Sequence, residues 1–263
     1  MGSVEIDEAV QLLDEALISG IPVSSSSSFP TLGLAEAYTV QGKLIELREA
    51  RGERVVGAKL GFTSAAKMIQ MGVDSIIAGR LTDKKRVQDG GTLDDPALIH
   101  PRVEPEVAFR LGRDVDPTDP TEDLLDAIDA VAPALEVIDS RYAGFAFDLP
   151  RVVADNTSAV AFTIGQWTPI TGDVISLLAN TAVTLSLDGH PAAFGSTADI
   201  LGNPLRVLAD LKTMAAEHGI ALRKGFVILA GAATAAVELS PGVVAEARVA
   251  GLGRAAFTRK ASA

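Results

Sequence analysis

Cysteine is absent from the 263-residue chain, which removes disulfides and thiolate metal sites together. Any metal must be held by oxygen or by the three histidines, His100, His190 and His218, a donor set that favours a hard cation. Basic residues are in deficit, 23 Lys and Arg against 34 Asp and Glu, for a net charge of -11. No clustered basic face is present, so nucleic acid is not expected as a partner. Long apolar runs are missing too, since nothing approaches the ~20 residues of a membrane helix. The start, MGSVEIDEAVQLLDEAL, is acidic where a signal peptide would be basic, and a cytoplasmic location is expected. What is present, 48% hydrophobic and 22% charged residues, can bury a sizeable core in one large domain or in one domain with an N-terminal appendage.

Helical spacing of Val10, Leu13 and Leu17, and of Leu34, Ala37, Val40, Leu44 and Leu47, predicts two helices over 4–19 and 34–48. Between them IPVSSSSSFP breaks both periodicities and reads as a linker or as an ordered loop over a site. After Gly52 the texture turns to short β-rich runs: RVVGAKLGF, RVEPEVAFRL, PALEVI, AVAFTIG, AVTLSL, FVILAG and VVAEARVAGL. Two further helices are predicted. One starts at Asp119-Pro120 with Glu122 completing a capping box, and continues through Leu124, Leu125, Ile128 and Val131. The other starts at Asn203-Pro204 and is stopped by Gly219. A hairpin turns on Asp188-Gly189. Strands outnumber helices without alternating with them. The expectation is an α+β fold with an N-terminal helical region, 1–52, and a mixed β-rich body, 53–263.

The chemistry concentrates in RVEPEVAFRL and PALEVID. Glu104 and Glu106, two apart on a strand, share a face, and Glu136 stands between Leu135 and Val137, where a lone ionised carboxylate is costly to bury. Three converging carboxylates repel unless a cation neutralises them, and an oxygen-only triad suits Mg²⁺ or Mn²⁺. The competing reading is a solvated strand face, with Glu136 paired to Arg102 or Arg141. Lys59 in VVGAKLGF has apolar residues on both sides, so it is either buried with an anionic partner or reaches the surface past its neighbours. DSRY at 139–142 and ADNTS at 154–158 are ligand contacts or turn chemistry. GLG at 251–253 lacks the third glycine and following helix of a dinucleotide loop and reads as a strand bend. His190 and His218 do not look like ligands; His100 is a loop residue or a substrate contact.

GAKLGFTSAAKMIQMGVD, LIHPRVEPEVAF, ALEVIDSRYAGFAFDL and VVADNTS together resemble, in matching order over roughly residues 34 to 257, the group of 2-keto-4-pentenoate hydratases and 4-oxalocrotonate decarboxylases. That group lies within the fumarylacetoacetate hydrolase-like family. The resemblance implies a mixed β-rich core with a smaller helical part, Glu104, Glu106 and Glu136 as ligands of Mg²⁺ or Mn²⁺, and Lys59 as a catalytic lysine. It points to Asp155 as a second catalytic group, and to Thr63, Ser64, Arg80, Leu81, Arg141, Asn156, Ser158 and Thr234 as contacts to a 2-oxo acid substrate, with Arg80 or Arg141 on its distal carboxylate. Ser140-Arg141-Tyr142 followed by Phe145, Phe147, Asp148 and Leu149 is similar to the decarboxylase pattern, as are the run from Ala66 to Asp74 and Thr234 to Ala236. The implied reaction is loss of CO₂ from 2-oxohex-3-enedioate in meta-cleavage degradation of aromatic compounds, with hydration of 2-hydroxypenta-2,4-dienoate, hydrolysis of acylpyruvates and a non-catalytic metal-binding subunit as alternatives. A homo-oligomer and a complex with a hydratase of the same route are the implied assemblies. Ala78-Gly79-Arg80, Ala146, Ala230-Gly231-Ala232 and Asn203 depart from the group's pattern, and these departures bear on the distal end of the substrate.

Overall fold

The computed structural model describes residues 3–24, 29–64, 68–69 and 76–261. Ser25 to Ser28 of the serine run and most of the stretch from Ala66 to Asp74 lie outside the described residues. Helix α1, Ser3–Ser19, and helix α2, Leu34–Ala50, occupy the two predicted spans. Val10 and Leu13 of α1 pack against Ala37, Val40 and Leu44 of α2, as their helical spacing requires. The same apolar cluster takes in Ile77, Tyr142 and Val152 to Ala154, so the helical pair is seated on the β-rich body. The Gln41 side chain, fully buried in α2, donates to the carbonyls of Ala78 and Val153 at 3.0 and 2.9 Å.

The strands, in chain order, are β1 (Val55–Gly61), β2 (Ile77–Thr82), β3 (Arg86–Val87), β4 (Thr92–Leu93), β5 (Arg102–Leu111), β6 (Ile128–Ile138), β7 (Ala159–Ile164), β8 (Thr168–Pro169), β9 (Ala182–Leu187), β10 (His190–Ser196), β11 (Val227–Ala232), β12 (Val237–Glu238), β13 (Val244–Val249) and β14 (Gly253–Arg259). Among the described residues they form two mixed sheets. The larger runs β2-β1-β11-β5-β6-β7-β3, with β12 added to β5 and β8 to β6; the smaller runs β10-β9-β13-β14-β4. Pairing of β1 with β11, β3 with β7 and β14 with β4 is parallel, and the rest is antiparallel. Val103 of β5, Leu135 and Val137 of β6, Leu185 of β9, Ala245 and Ala247 of β13 and Phe257 of β14 fill the space between the sheets. Because side chains alternate along a strand, burying these residues sends Glu104, Glu106 and Glu136 to the opposite face.

Helix α3, Leu149–Ala154, is short and capped by the Asp148 carboxylate accepting from the Arg151 N–H; helix α4 is Gly172–Leu178. Asn203 and Gly219 act as predicted: the Asn203 side chain accepts from the Leu205 N–H, a turn over Pro204–Arg206 follows, and helix α5, Val207–His218, ends at Gly219 with φ 63. Asp188 and Gly189, at φ 49 and 77, make the β9–β10 hairpin turn.

The helix predicted from Asp119 does not form. The Asp119 carboxylate accepts from the N–H and hydroxyl of Thr121, as Asp116 does from Thr118 and Asp123 from the Leu125 N–H, so a chain of local side-chain turns takes the place of the first helical turns. Only a 3-10 turn, Leu125–Ala127, precedes β6. Leu124, Ile128 and Val131 are buried, but in the core beneath the large sheet and not along a helix face.

Candidate metal centre and active-site cavity

Strand β5 is central in the larger sheet, which makes Pro105 within it unusual. The proline falls where the ladder on one side breaks: β11 pairs with residues 106 to 110 and β12 with 102 and 103, and the register shifts between Leu229 and Ala232. No ladder N–H is needed at that point, and the Pro105 carbonyl still accepts from Ala233 at 3.0 Å. The irregularity lies between the two glutamates. Glu104 stands directly opposite Glu136 across the β5–β6 pair, and Glu106 follows two residues on, opposite Ala134. One carboxylate oxygen from each of Glu104, Glu106 and Glu136 lies within 4.8 Å of the others.

All three glutamates are buried, which rules out the solvated-face reading. Burial raises the Glu106 carboxyl well above the ordinary carboxylate range, and the charge of Glu136 adds to it; Glu136 is raised in the same way, with Lys59 opposing. Glu106 Oε2 accepts from the Gly231 N–H at 2.8 Å, whereas Glu106 Oε1 and Glu136 Oε1 have no hydrogen-bond partner. Orphaned buried carboxylate oxygens facing one another are what a hard divalent cation would satisfy, so the residues present fit Mg²⁺ or Mn²⁺.

Lys59 is also buried, and its Nζ lies 2.9 Å from Glu136 Oε2 and donates to the Thr157 carbonyl at 3.2 Å. This corrects the arginine pairing considered for Glu136: Lys59 takes that place, Arg141 pairs with Asp155, and Arg102 lies over the Phe145 ring. The Thr157 carbonyl is aimed at Lys59 by an unusual turn in which Asn156, Thr157 and Ser158 have φ of 48, 53 and 59. Consecutive left-handed non-glycine residues are strained, and surrounding contacts must hold them. The Asn156 side chain does so by accepting from the Arg80 N–H at 2.7 Å and donating to the Arg80 carbonyl at 2.9 Å. Gly79, opposite Lys59 in the β1–β2 pair, leaves the room: a Cβ there would stand 2.4 Å from Thr157 Oγ1 and 2.7 Å from the Asn156 carbonyl oxygen. From below, Asp155 receives the Arg141 backbone N–H at 3.0 Å and the Arg141 guanidinium, and burial pushes its carboxyl up to about 6 against the pull of that guanidinium.

Lys59 and Glu104 line a cavity of about 320 Å³ walled by Phe62, Ile77, Ile138, Phe145 and Phe147, with Thr63, Thr157, Ser158 and Arg102 supplying polar atoms. Of the expected substrate contacts, Thr63 and Ser158 lie on this wall, and the buried Ser158 Oγ has no hydrogen-bond partner. Ser64 follows Thr63 but is not part of the wall, and Thr234 sits beside it, between Ala232 and Ala235, with its hydroxyl donating to the Ala235 carbonyl. Asn156 and Asp155 lie behind the wall. Arg80 turns away, donating to Gln41 Oε1 and the His218 carbonyl at 2.7 and 2.8 Å, and Leu81 is packed in the core with Ala108 and Phe162. His218 stacks on Tyr38, and His100 packs on Phe145 with ring centroids 4.5 Å apart.

Arg102 was read in the sequence only as a possible partner of Glu136 and Phe145 only as part of a family-like pattern, while Thr157 and Gly231 lay in segments noted there without the roles they take, the carbonyl on Lys59 and the N–H on Glu106. The visible signal for Arg102 was its spacing: it precedes Glu104 by two and so shares its face.

Residues 84–258 match the family model described as fumarylacetoacetate (FAA) hydrolase C-terminal. The chain is 44% identical to a 4-oxalocrotonate decarboxylase of Pseudomonas sp over 97% of its length and 98% of the relative's, and 37% identical to a 2-keto-4-pentenoate hydratase of Paraburkholderia xenovorans (strain LB400) over 94% and 92%. Its structure superimposes with a TM-score of 0.90 on 4-oxalocrotonate decarboxylase from Pseudomonas putida G7 complexed with magnesium and adipate, at 35% identity and 98% coverage of both chains. With the buried carboxylate triad and lysine placed on the same sheet, the chain belongs to the fumarylacetoacetate hydrolase family.

Proposed function

We propose that the protein is a divalent-metal-dependent carboxy-lyase that converts 2-oxohex-3-enedioate into 2-hydroxypenta-2,4-dienoate and CO₂ in the meta-cleavage degradation of aromatic compounds. The observation that carries this reading is the buried set of Glu104, Glu106, Glu136 and Lys59 at an apolar-walled cavity. Near-full-length similarity to 4-oxalocrotonate decarboxylases supports it. A divalent cation held by the three glutamates supplies Lewis-acid polarisation of the substrate's 2-oxo group.

The substrate carries its leaving carboxylate in a vinylogous β-keto relation to that group. Breaking the C5–C6 bond sends the electron pair through C4 and C3 toward the C2 oxygen, releasing CO₂. Negative charge therefore grows on the C2 oxygen, and Lys59 is the chain's cation at the cavity floor. An ammonium has three protons, and Glu136 and the Thr157 carbonyl engage two, leaving one to donate to that oxygen. The Asn156–Ser158 turn and the Asp155–Arg141 pair beneath it act as positioning groups, since they fix the carbonyl that aims Lys59. Thr63 and Ser158 offer hydroxyls to the substrate's C1 end. Phe62, Phe145 and Phe147 supply an apolar wall along the substrate's carbon chain.

Incubation of purified protein with Mg²⁺ and 2-oxohex-3-enedioate is expected to release CO₂ as dienoate accumulates. No CO₂, with conversion of supplied dienoate to 4-hydroxy-2-oxopentanoate, would assign the chain to the hydratases. Association with a hydratase of the same route, and of the chain with itself, belongs to the same reading and is tested by co-purification and sedimentation.

A further inference from the structure

Among the described residues the cavity has two cationic side chains, and only Lys59 has a place in the chemistry above. Arg102 is the other. On β5, Glu106, Glu104 and Arg102 project from the same face, running from fully buried to exposed. The row is anionic at its deep end and cationic at its mouth. Opposite Arg102 stand Ile138 on β6, another wall residue, and Glu238 on β12. Among the described residues Arg102 forms no ion pair within 4 Å, Glu238 included; its recorded side-chain contact is with Phe145, whose ring centroid lies 4.5 Å from the guanidinium carbon. Phe145 is held in turn by His100 and by a left-handed backbone, φ 56 after Gly144 at φ 65. A guanidinium laid on an aromatic face keeps its in-plane N–H donors available, and those donors match a carboxylate.

We propose that Arg102, seated on Phe145, recognises the second carboxylate of the substrate and so restricts this site to 2-oxo dicarboxylic acids. The proposal rests on the carboxy-lyase reading and adds to it the residue that separates a dicarboxylate from a monocarboxylate of equal length. Two residues of strand separate the Arg102 and Glu104 backbones by about 6.6 Å, and the long arginine side chain adds to that reach, so a guanidinium and a triad-bound cation stand at opposite ends of one strand face. Arg80 donates to Gln41 and the His218 carbonyl and Arg141 is buried against Asp155, and neither lines the cavity.

The proposed contact is with the carboxylate that leaves. A tight, dry ion pair there would stabilise the ground state and slow the loss of CO₂. Arg102 is exposed and shared with a ring, so it supplies affinity without deep ground-state stabilisation. Its loss should therefore appear in KM and not as a fall in kcat.

The test uses Mg²⁺-loaded protein and two probes in calorimetry, 2-oxoadipate and 2-oxohexanoate, which differ only in the distal carboxylate. Wild type is expected to prefer 2-oxoadipate about tenfold. In R102M the preference should approach one with 2-oxohexanoate affinity unchanged, while R102K, which keeps the charge, should retain part of it. With 2-oxohex-3-enedioate, R102M should raise KM about tenfold with kcat equal or higher. An unaltered preference in R102M, equal loss for both probes, no preference in wild type, or a fall in kcat at constant KM would overturn the proposal. Because Arg102 is exposed, R102M should melt with wild type. If wild type released no CO₂ the carboxy-lyase reading would fall, and the ratio of the two affinities would still decide the role of Arg102.

Discussion

Glu106 is fully buried, with one oxygen on the Gly231 N–H and the other without a partner. Glutamine at 106 keeps the acceptor for Gly231 and cannot ionise, which removes the cost of a buried carboxyl beside Glu136 and Glu104. E106Q is therefore expected to be more stable than wild type in the absence of metal, by about 1 kcal/mol, and to lose both the rise in Tm on adding Mg²⁺ and the metal-dependent turnover. Thermal melts with and without Mg²⁺, beside a CO₂ assay, check this; full activity in E106Q would sink the triad. Lys59 is the converse case. K59M removes the charge facing Glu136 inside the protein, a change that typically costs about 3–5 kcal/mol when a buried pair is broken. Its metal-free form should melt well below wild type, and Mg²⁺ should recover part of the loss without restoring kcat.

At the scale of elements, the site depends on two breaks in regular structure. The first is the interruption between β11 and β12 beside Pro105, where Gly231 adopts φ 100 and turns its N–H to Glu106; a Cβ there would stand 2.0 Å from Thr63 Oγ1. G231A is expected to cost about 2 kcal/mol or more in stability and to weaken Mg²⁺ binding, because alanine must displace Thr63 or the donor to Glu106. The second is the left-handed turn at Asn156–Ser158. Its support, Asp155, holds its proton more tightly folded, with a pKa of about 6, than unfolded. Asp155 thus contributes stability that is full below about pH 4 and is lost as pH rises through 6, no more than about 3 kcal/mol in all. Denaturant unfolding of D155N from pH 4 to 7 should show a flatter decline than wild type, and superimposable curves would mean that Arg141 keeps the carboxyl ionised throughout.

For the molecule as a whole, Asp155, Glu106 and Glu136 all shift upward, so the metal-free protein should be less stable at pH 8 than at pH 5. A divalent cation must displace protons from Glu106 and Glu136, so its affinity should rise with pH and narrow that difference. Melts in EDTA and in saturating Mg²⁺ at both pH values measure it. Among the described residues no helix is long and apolar enough to cross a membrane, in keeping with the apolar runs of the sequence.

Local periodicity and turn chemistry were sufficient for β1, β5, the second half of β6, β7, β9, β11 and β13, the α1–α2 pair, the Asn203 start and Gly219 stop of α5 and the Asp188-Gly189 hairpin, since each depends on residues a few positions apart; β2 and the two-residue strands β3, β4, β8 and β12 carried no such signal. Strand alternation likewise placed Glu104 and Glu106 on one face. The same local reasoning failed at Asp119, where side-chain turns outcompeted a helix start, and it could not pair Glu136 with Lys59, 77 positions away. Register across β5 and β6 set Glu136 opposite Glu104, the β1–β2 pairing set Gly79 beside Lys59, and packing at the cavity mouth laid Arg102 on Phe145. The sequence alone determined which residues carry charge and which face of a strand they take, because both are properties of neighbours along the chain. Only the tertiary structure decided which charges meet, because partnership, burial and the resulting proton affinities arise from segments that the chain brings together only on folding.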